Sequence, residues 1–163
     1  MATVSIRITR DDIRPAFARA KKLGRDTTPI MRAMGDTFKS ITEGNFSAAG
    51  ASYRPIPWVN KKDGTPRTLK KSGLLWHSFH LTVTKDTATL ANPTPYAAVQ
   101  QFGSGDVDRR RQAEAAKRSA AKVHKMNIPA SPFYPVKDGK LTPAAEEKIG
   151  AAGMRTAEKI IGG

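Results

Sequence analysis

The residues able to do chemistry are few. The chain contains three histidines (His77, His80 and His124) and no cysteine, so thiolate metal sites and disulfides are ruled out and a histidine site has little material. His77 and His80 stand three apart, which suits a helix. They fall instead at the start of an alternating pattern, where residues three apart point to opposite faces of a strand. No glycine-rich loop ends in Lys-Ser or Lys-Thr, and Gly103-Ser104-Gly105 follows a helical pattern, the wrong context for a nucleotide fingerprint. No serine lies in a nucleophile-elbow pattern. The acids sit mainly at helix starts and turns, and the adjacent Glu146 and Glu147 do not converge on one substrate. The expectation is a protein that is not an enzyme, with no catalytic residues, no cofactor and no metal.

What remains is charge. Lysine and arginine number 28 against 14 acids, a net charge of +14 over 163 residues. Such an excess selects partners: nucleic acid, an acidic protein surface or anionic lipid. Residues 54–71 carry six basic residues against Asp63, and residues 104–125 carry seven against three acids. Lys61, Lys62, Arg109, Arg110, Arg111, Lys117 and Arg118 are the candidate basic contacts. Tyr53 and Trp58 stand among basic residues and can stack on bases, although such aromatics more often pin a loop to the body or sit at a subunit contact, the preferred reading. The longest strongly apolar run is Leu74-Leu75-Trp76, far short of the roughly 20 residues of a spanning helix, so no membrane is expected. The first residues lack a secretory pattern, so secretion by that route is not expected, and the absence of cysteine makes production in a reducing cytoplasm the simple expectation.

The elements that must carry these residues follow from periodicity. Val4, Ile6 and Ile8 alternate with polar residues as in a half-buried strand. Thr9 and Asp12 open a short helix through Phe17 that Gly24 ends. The clearest helix runs over 28–49, with Thr27 or Thr28 as N-cap and Pro29 just inside. Ile30, Met34, Phe38, Ile41 and Asn45/Phe46 form its core stripe, and Gly50 is its stop. Residues 51–71 read as a long irregular loop, partly mobile in the free subunit. Phe79, Leu81 and Val83 return through Lys85-Asp86 to Thr87, Thr89 and Leu90, a hairpin. Tyr96 to Gly103 reads as a short helix. The run from Arg109 to Lys125 has helix propensity but no apolar face, so residues 104–125 read as a flexible basic arm. Residues 128–135 are extended by their prolines, and Thr142-Pro143 starts a last helix. The predicted fold class is α+β: one domain over 1–163, with an antiparallel sheet of about four strands packed by N- and C-terminal helices.

Three ordered segments are similar to the phage virion morphogenesis (tail-completion) family: Leu69-Lys70-Lys71-Ser72-Gly73-Leu74-Leu75-Trp76-His77-Ser78-Phe79, Tyr96-Ala97-Ala98-Val99-Gln100-Gln101-Phe102-Gly103 and Ile128-Pro129-Ala130-Ser131-Pro132-Phe133. The chain departs from the family's pattern at Ser131, where arginine is common. The resemblance implies helices on one antiparallel sheet and a structural role completing the tail or joining it to the head. It also suggests kinship with tail-terminator and neck proteins, which form rings that are commonly sixfold. The partners implied are further copies of the chain (a ring homo-oligomer) and other tail or neck proteins, with location in the virion after assembly in the host cytoplasm. Ser72, Gly73, Leu74, Tyr96, Phe102, Gly103, Ile128, Pro129, Pro132 and Phe133 are the candidate assembly contacts. The alternative is a basic nucleic-acid-binding module with non-specific DNA contact through the arm.

Overall fold

The computed structural model describes residues 4–9, 14–47, 51–104 and 128–162. In chain order it places strand β1 (Val4–Thr9), helices α1 (Arg14–Lys22) and α2 (Thr28–Gly44), a 3-10 turn at Ala51–Tyr53 and the one-turn helix α3 (Leu74–His77). Strands β2 (His80–Val83) and β3 (Thr87–Asn92), helix α4 (Ala97–Phe102), the short strands β4 (Val136–Lys137) and β5 (Lys140–Leu141), and helix α5 (Pro143–Gly162) complete it. The mixture is α+β, as the two periodicities predicted.

The expected sheet of about four strands is corrected. The main sheet has three, in the order β1-β3-β2, and β4-β5 form a separate two-stranded ribbon. Both neighbours of β3 run antiparallel to it. The ribbon turns through Asp138 and Gly139, both at positive φ (51° and 79°). An Asp-Gly pair between short apolar-polar alternations is a strong hairpin signal, because that turn needs φ > 0 at both central residues.

Helix α2 lies between the sheet and α5. Its stripe is as expected, with Ile30, Met34 and Phe38 completely buried, and Met31 is buried beside them. The row Ile6–Leu90–Leu81 crosses the sheet on one face, and α2 packs on β2 and β3. Gly35 makes the close approach possible. A Cβ there would stand 2.9 Å from Leu81 Cδ1 and 3.0 Å from Ala88 Cβ.

The ends of α2 differ from the reading. Thr27 lies at the N-cap without a capping bond. Its hydroxyl donates to Lys85 O at 3.0 Å and ties the β2–β3 turn to the helix. Asp26 does the capping instead, accepting from Thr28 N–H at 3.0 Å. The helix stops at Gly44 rather than near Gly50. Asn45 is drawn away, its side-chain amide donating to Phe133 O at 2.8 Å, while the Arg54 guanidinium donates to Asn45 O and Ser47 O. A cation on the last carbonyls complements the helix dipole. His77 belongs to α3, so the strand that was read as starting with it begins only at His80. The core ends in an aromatic cluster in which Phe46 meets Trp58, Phe79 and Phe133 at 5.7–6.0 Å between ring centroids.

Candidate functional site

The three motif segments converge. Asn92, at the end of β3, donates through Nδ2 to Leu75 O at 2.7 Å. Its Oδ1 accepts from the Thr94 amide and hydroxyl, which fixes the entry to α4. Helix α4 then holds the third segment. The Gln101 Oε1 accepts from the amides of Phe133 and Tyr134, both at 3.0 Å. Ser131 N–H donates to Gln100 O. Ser104 N–H donates to Ile128 O at 2.9 Å, and the Ser104 hydroxyl accepts from Ile128 N–H at 2.9 Å. Gly103 closes α4 at φ 78°, and a Cβ there would meet Ala130 N at 3.1 Å. The glycine is required twice over, for its φ and for the crossing backbone.

This convergence divides the candidate contacts. Phe133 is completely buried, and Pro132 and Gly103 are buried too. Phe133 and Gly103 belong to the interior, and Pro132, though buried, forms part of the floor of a groove. Ile128 and Pro129 are half-buried and Ser72 is exposed. Gly73 takes φ 71° to start α3. Leu74 (52% exposed), Tyr96 (36%) and Phe102 (45%) are the large hydrophobic side chains of the motifs that face outward.

Phe102 borders an apolar groove of about 290 Å³. Ile6 of β1, Ile56, Pro132 and Val136 line it, with Lys137 and Asp138 at the ribbon turn. The sequence reading missed Ile6, Ile56 and Val136 because they are brought together only by tertiary pairing.

The basic candidates separate as well. Lys61 and Lys62 lie in the stretch 59–66, every residue of which is exposed. Its turn is closed by Lys61 N–H to Thr65 O at 2.9 Å. Asp63 accepts from the Thr65 hydroxyl and amide, which hold its carboxyl below the usual carboxylate range. The root of the loop is clamped on both sides. Trp58 Nε1 donates to Pro132 O at 2.9 Å and Arg67 Nη1 donates to Ser131 Oγ at 3.2 Å. Arg54 lies over the Trp58 ring at 3.8 Å and Lys70 over Trp76 at 4.3 Å. Trp58 is therefore a pin, as preferred, and is covered against base stacking. Arg109, Arg110, Arg111, Lys117 and Arg118, with the proposed arm beyond Ser104, lie outside the described residues. Among the described residues no group of three or more His, Cys, Asp or Glu side chains could hold a metal ion. No helix of the described residues is long and apolar enough to cross a membrane.

The motifs thus build much of the interior of a small α+β domain, and leave apolar side chains and cations on its surface. Residues 8–151 match the phage virion morphogenesis family, and the chain belongs to that family. No curated protein and no solved structure matches it.

Proposed function

We propose that the protein is a non-enzymatic subunit that completes the tail or joins it to the head, and that it works as a ring of identical copies at the tail end or neck. The observation that carries this is the distribution of the family motifs. Their buried parts stabilise the subunit, while Leu74, Tyr96 and Phe102 remain as exposed apolar side chains, the last of them bordering a groove. Exposed apolar surface bordering a groove on a small subunit is the mark of an interaction site. A closed ring is the simple solution for an interface in which each copy presents two different surfaces. No cofactor or metal is required, and the partners are further copies and other tail or neck proteins.

Charge separates the two kinds of contact. Copies at +14 repel one another, so salt strengthens self-association, whereas docking on an acidic partner weakens as salt rises. Sedimentation velocity over a wide concentration range tests the reading. A discrete oligomer formed without DNA supports it. A strictly monomeric protein whose loss leaves tail assembly unaffected overturns it. The net charge supports the second reading, a DNA-binding module, for which log affinity falls linearly and steeply with log salt.

A further inference from the structure

The three-stranded sheet ends on two different open edges, and their backbone groups can be assigned from the register. Thr84 N–H donates to Thr87 O at 2.8 Å and closes the turn between β2 and β3. Antiparallel pairs alternate between bonded and non-bonded. Thr82–Thr89 and His80–Ala91 are then the bonded pairs, and the amides and carbonyls of Leu81 and Val83 point outward. On the other side of β3, residues Ala88, Leu90 and Asn92 bond to β1. The outward groups of that strand belong to Ser5 and Arg7. Among the described residues, none of these four has a backbone partner on its outer side. Neither strand contains proline, one of the common edge-blocking devices.

The side chains point the same way. In the central strand, Leu90 and Ala88 are completely buried. Their row-mates at the edges, Ile6, Leu81 and Val83, are only half-buried. At the β2 side the apolar rows end on Leu81 and Val83. At the β1 side the Leu90 row ends on Ile6, which lines the groove together with Ile56 and Phe102.

We propose that the sheet continues between copies: the β2 edge of one subunit pairs with the β1 edge of a second, and Leu81 and Val83 of the first enter the groove beside Ile6 of the second. This rests on the assembly reading above and names its interface. The occupant is a second copy because the two edges complement each other in backbone groups and in the face on which the apolar row lies. Both strands are antiparallel to β3 and so parallel to each other. A head-to-tail repeat therefore gives a parallel pair, whose bonds use alternate residues of each strand. Two different edges per subunit, each carrying both amides and carbonyls, meet the condition for a heterologous interface that closes into a ring.

Proline on an outward amide tests the proposal, since it removes an edge donor and spares the internal ladder. Val83→Pro and Arg7→Pro are made separately, and melting of each variant confirms the fold. Thr82→Pro, which removes an inward bond, is the destabilising control. Sedimentation velocity should show the concentration for assembly of either edge variant raised at least about tenfold, the equivalent of about 1.4 kcal/mol per interface. Mixed together, Val83→Pro supplies an intact β1 edge and Arg7→Pro an intact β2 edge, so the mixture should form dimers and no rings. Phe102→Asp, an exposed groove position, should weaken assembly in the same way and serves if either proline disturbs folding. Folded variants that assemble as the wild type does would overturn the strand pairing and leave the assembly reading standing. A wild-type chain that never assembles would sink the assembly reading itself.

Discussion

Segment 128–134 and loop 54–71 touch through the two hydrogen bonds from Trp58 and Arg67, yet the fold uses them in opposite ways. Residues 131–134 are buried throughout, and the amides of Phe133 and Tyr134 are taken by one glutamine oxygen. Residues 59–66 are exposed throughout, and Lys61, Asp63, Gly64 and Thr65 bond to one another within their own turn. Both segments are proline-rich and irregular, so local conformation alone does not set their fates. What differs is the side chains: Phe133 and Tyr134 can bury large apolar surface, whereas Lys61, Lys62 and Asp63 cannot do so without losing hydration.

The largest expected effect follows from that difference. Phe133→Ala should cost about 3–5 kcal/mol, the usual range for a fully buried aromatic. Replacing residues 59–66 by a two-glycine link should cost far less, since it removes no core contact. Urea denaturation of both variants measures the contrast, and similar losses would break it. Phe38→Ala belongs with Phe133, because its ring is completely buried and stacks on Tyr134 at 6.0 Å between centroids.

Next comes the join between α4 and the insert. Gln101→Ala leaves two buried amides without an acceptor, at a cost of about 2 kcal/mol. Amide exchange at Phe133 and Tyr134 should quicken selectively. Unchanged protection there would mean that these amides do not depend on Gln101.

The root of the loop is a smaller matter. Trp58→Phe and Arg67→Ala should each cost about 1 kcal/mol, the net worth of one hydrogen bond. Trypsin cleavage after Lys61 and Lys62 should quicken more than global stability falls, because the clamp acts on the loop and not on the core.

How much of this was legible in the sequence depended on range. The α2 stripe from Ile30 to Ile41 and the turn at Lys85-Asp86 are local patterns and were read correctly. The pairing of β1 with β3 joins residues as far apart as Val4 and Asn92, and no local period reveals it. The β4-β5 ribbon was readable and was missed: Val136-Lys137-Asp138-Gly139-Lys140-Leu141 carries the Asp-Gly signal, overshadowed by the prolines before it. The end of α2 was misplaced because Phe133, 88 residues on, captures the Asn45 side chain, while Arg54 from the following loop takes its carbonyl. Of the candidate contacts, Leu74, Tyr96 and Phe102 face outward, whereas Gly103 and Phe133 are buried. A recurring motif marks what a fold requires, and its sequence does not say which side chains serve packing and which serve partners.

The smallest effect expected separates two turns of the same kind. Asp26 and Asp63 each accept from the amide and hydroxyl of the threonine two residues on, and both carboxyls are held below their ordinary value of 3.8. For Asp26 the main cause is the Thr28 amide; for Asp63 it is the Thr65 hydroxyl. A depressed carboxylate stabilises the fold fully above its unfolded value, and the contribution fades as pH falls through the lowered folded value. Both turns should therefore hold at neutral pH and loosen below about pH 4. Asp26 sits at the start of α2, where the helix dipole and the packing of the first turn also hold the backbone. Asp63 has only its own loop. On acidification the Thr65 amide should lose exchange protection while Thr28 keeps most of its own. Asp63→Asn retains an acceptor oxygen without the titration, and should make Thr65 insensitive to pH over this window. Equal loss at Thr28 and Thr65 would show that acid opens the whole subunit and not the exposed loop.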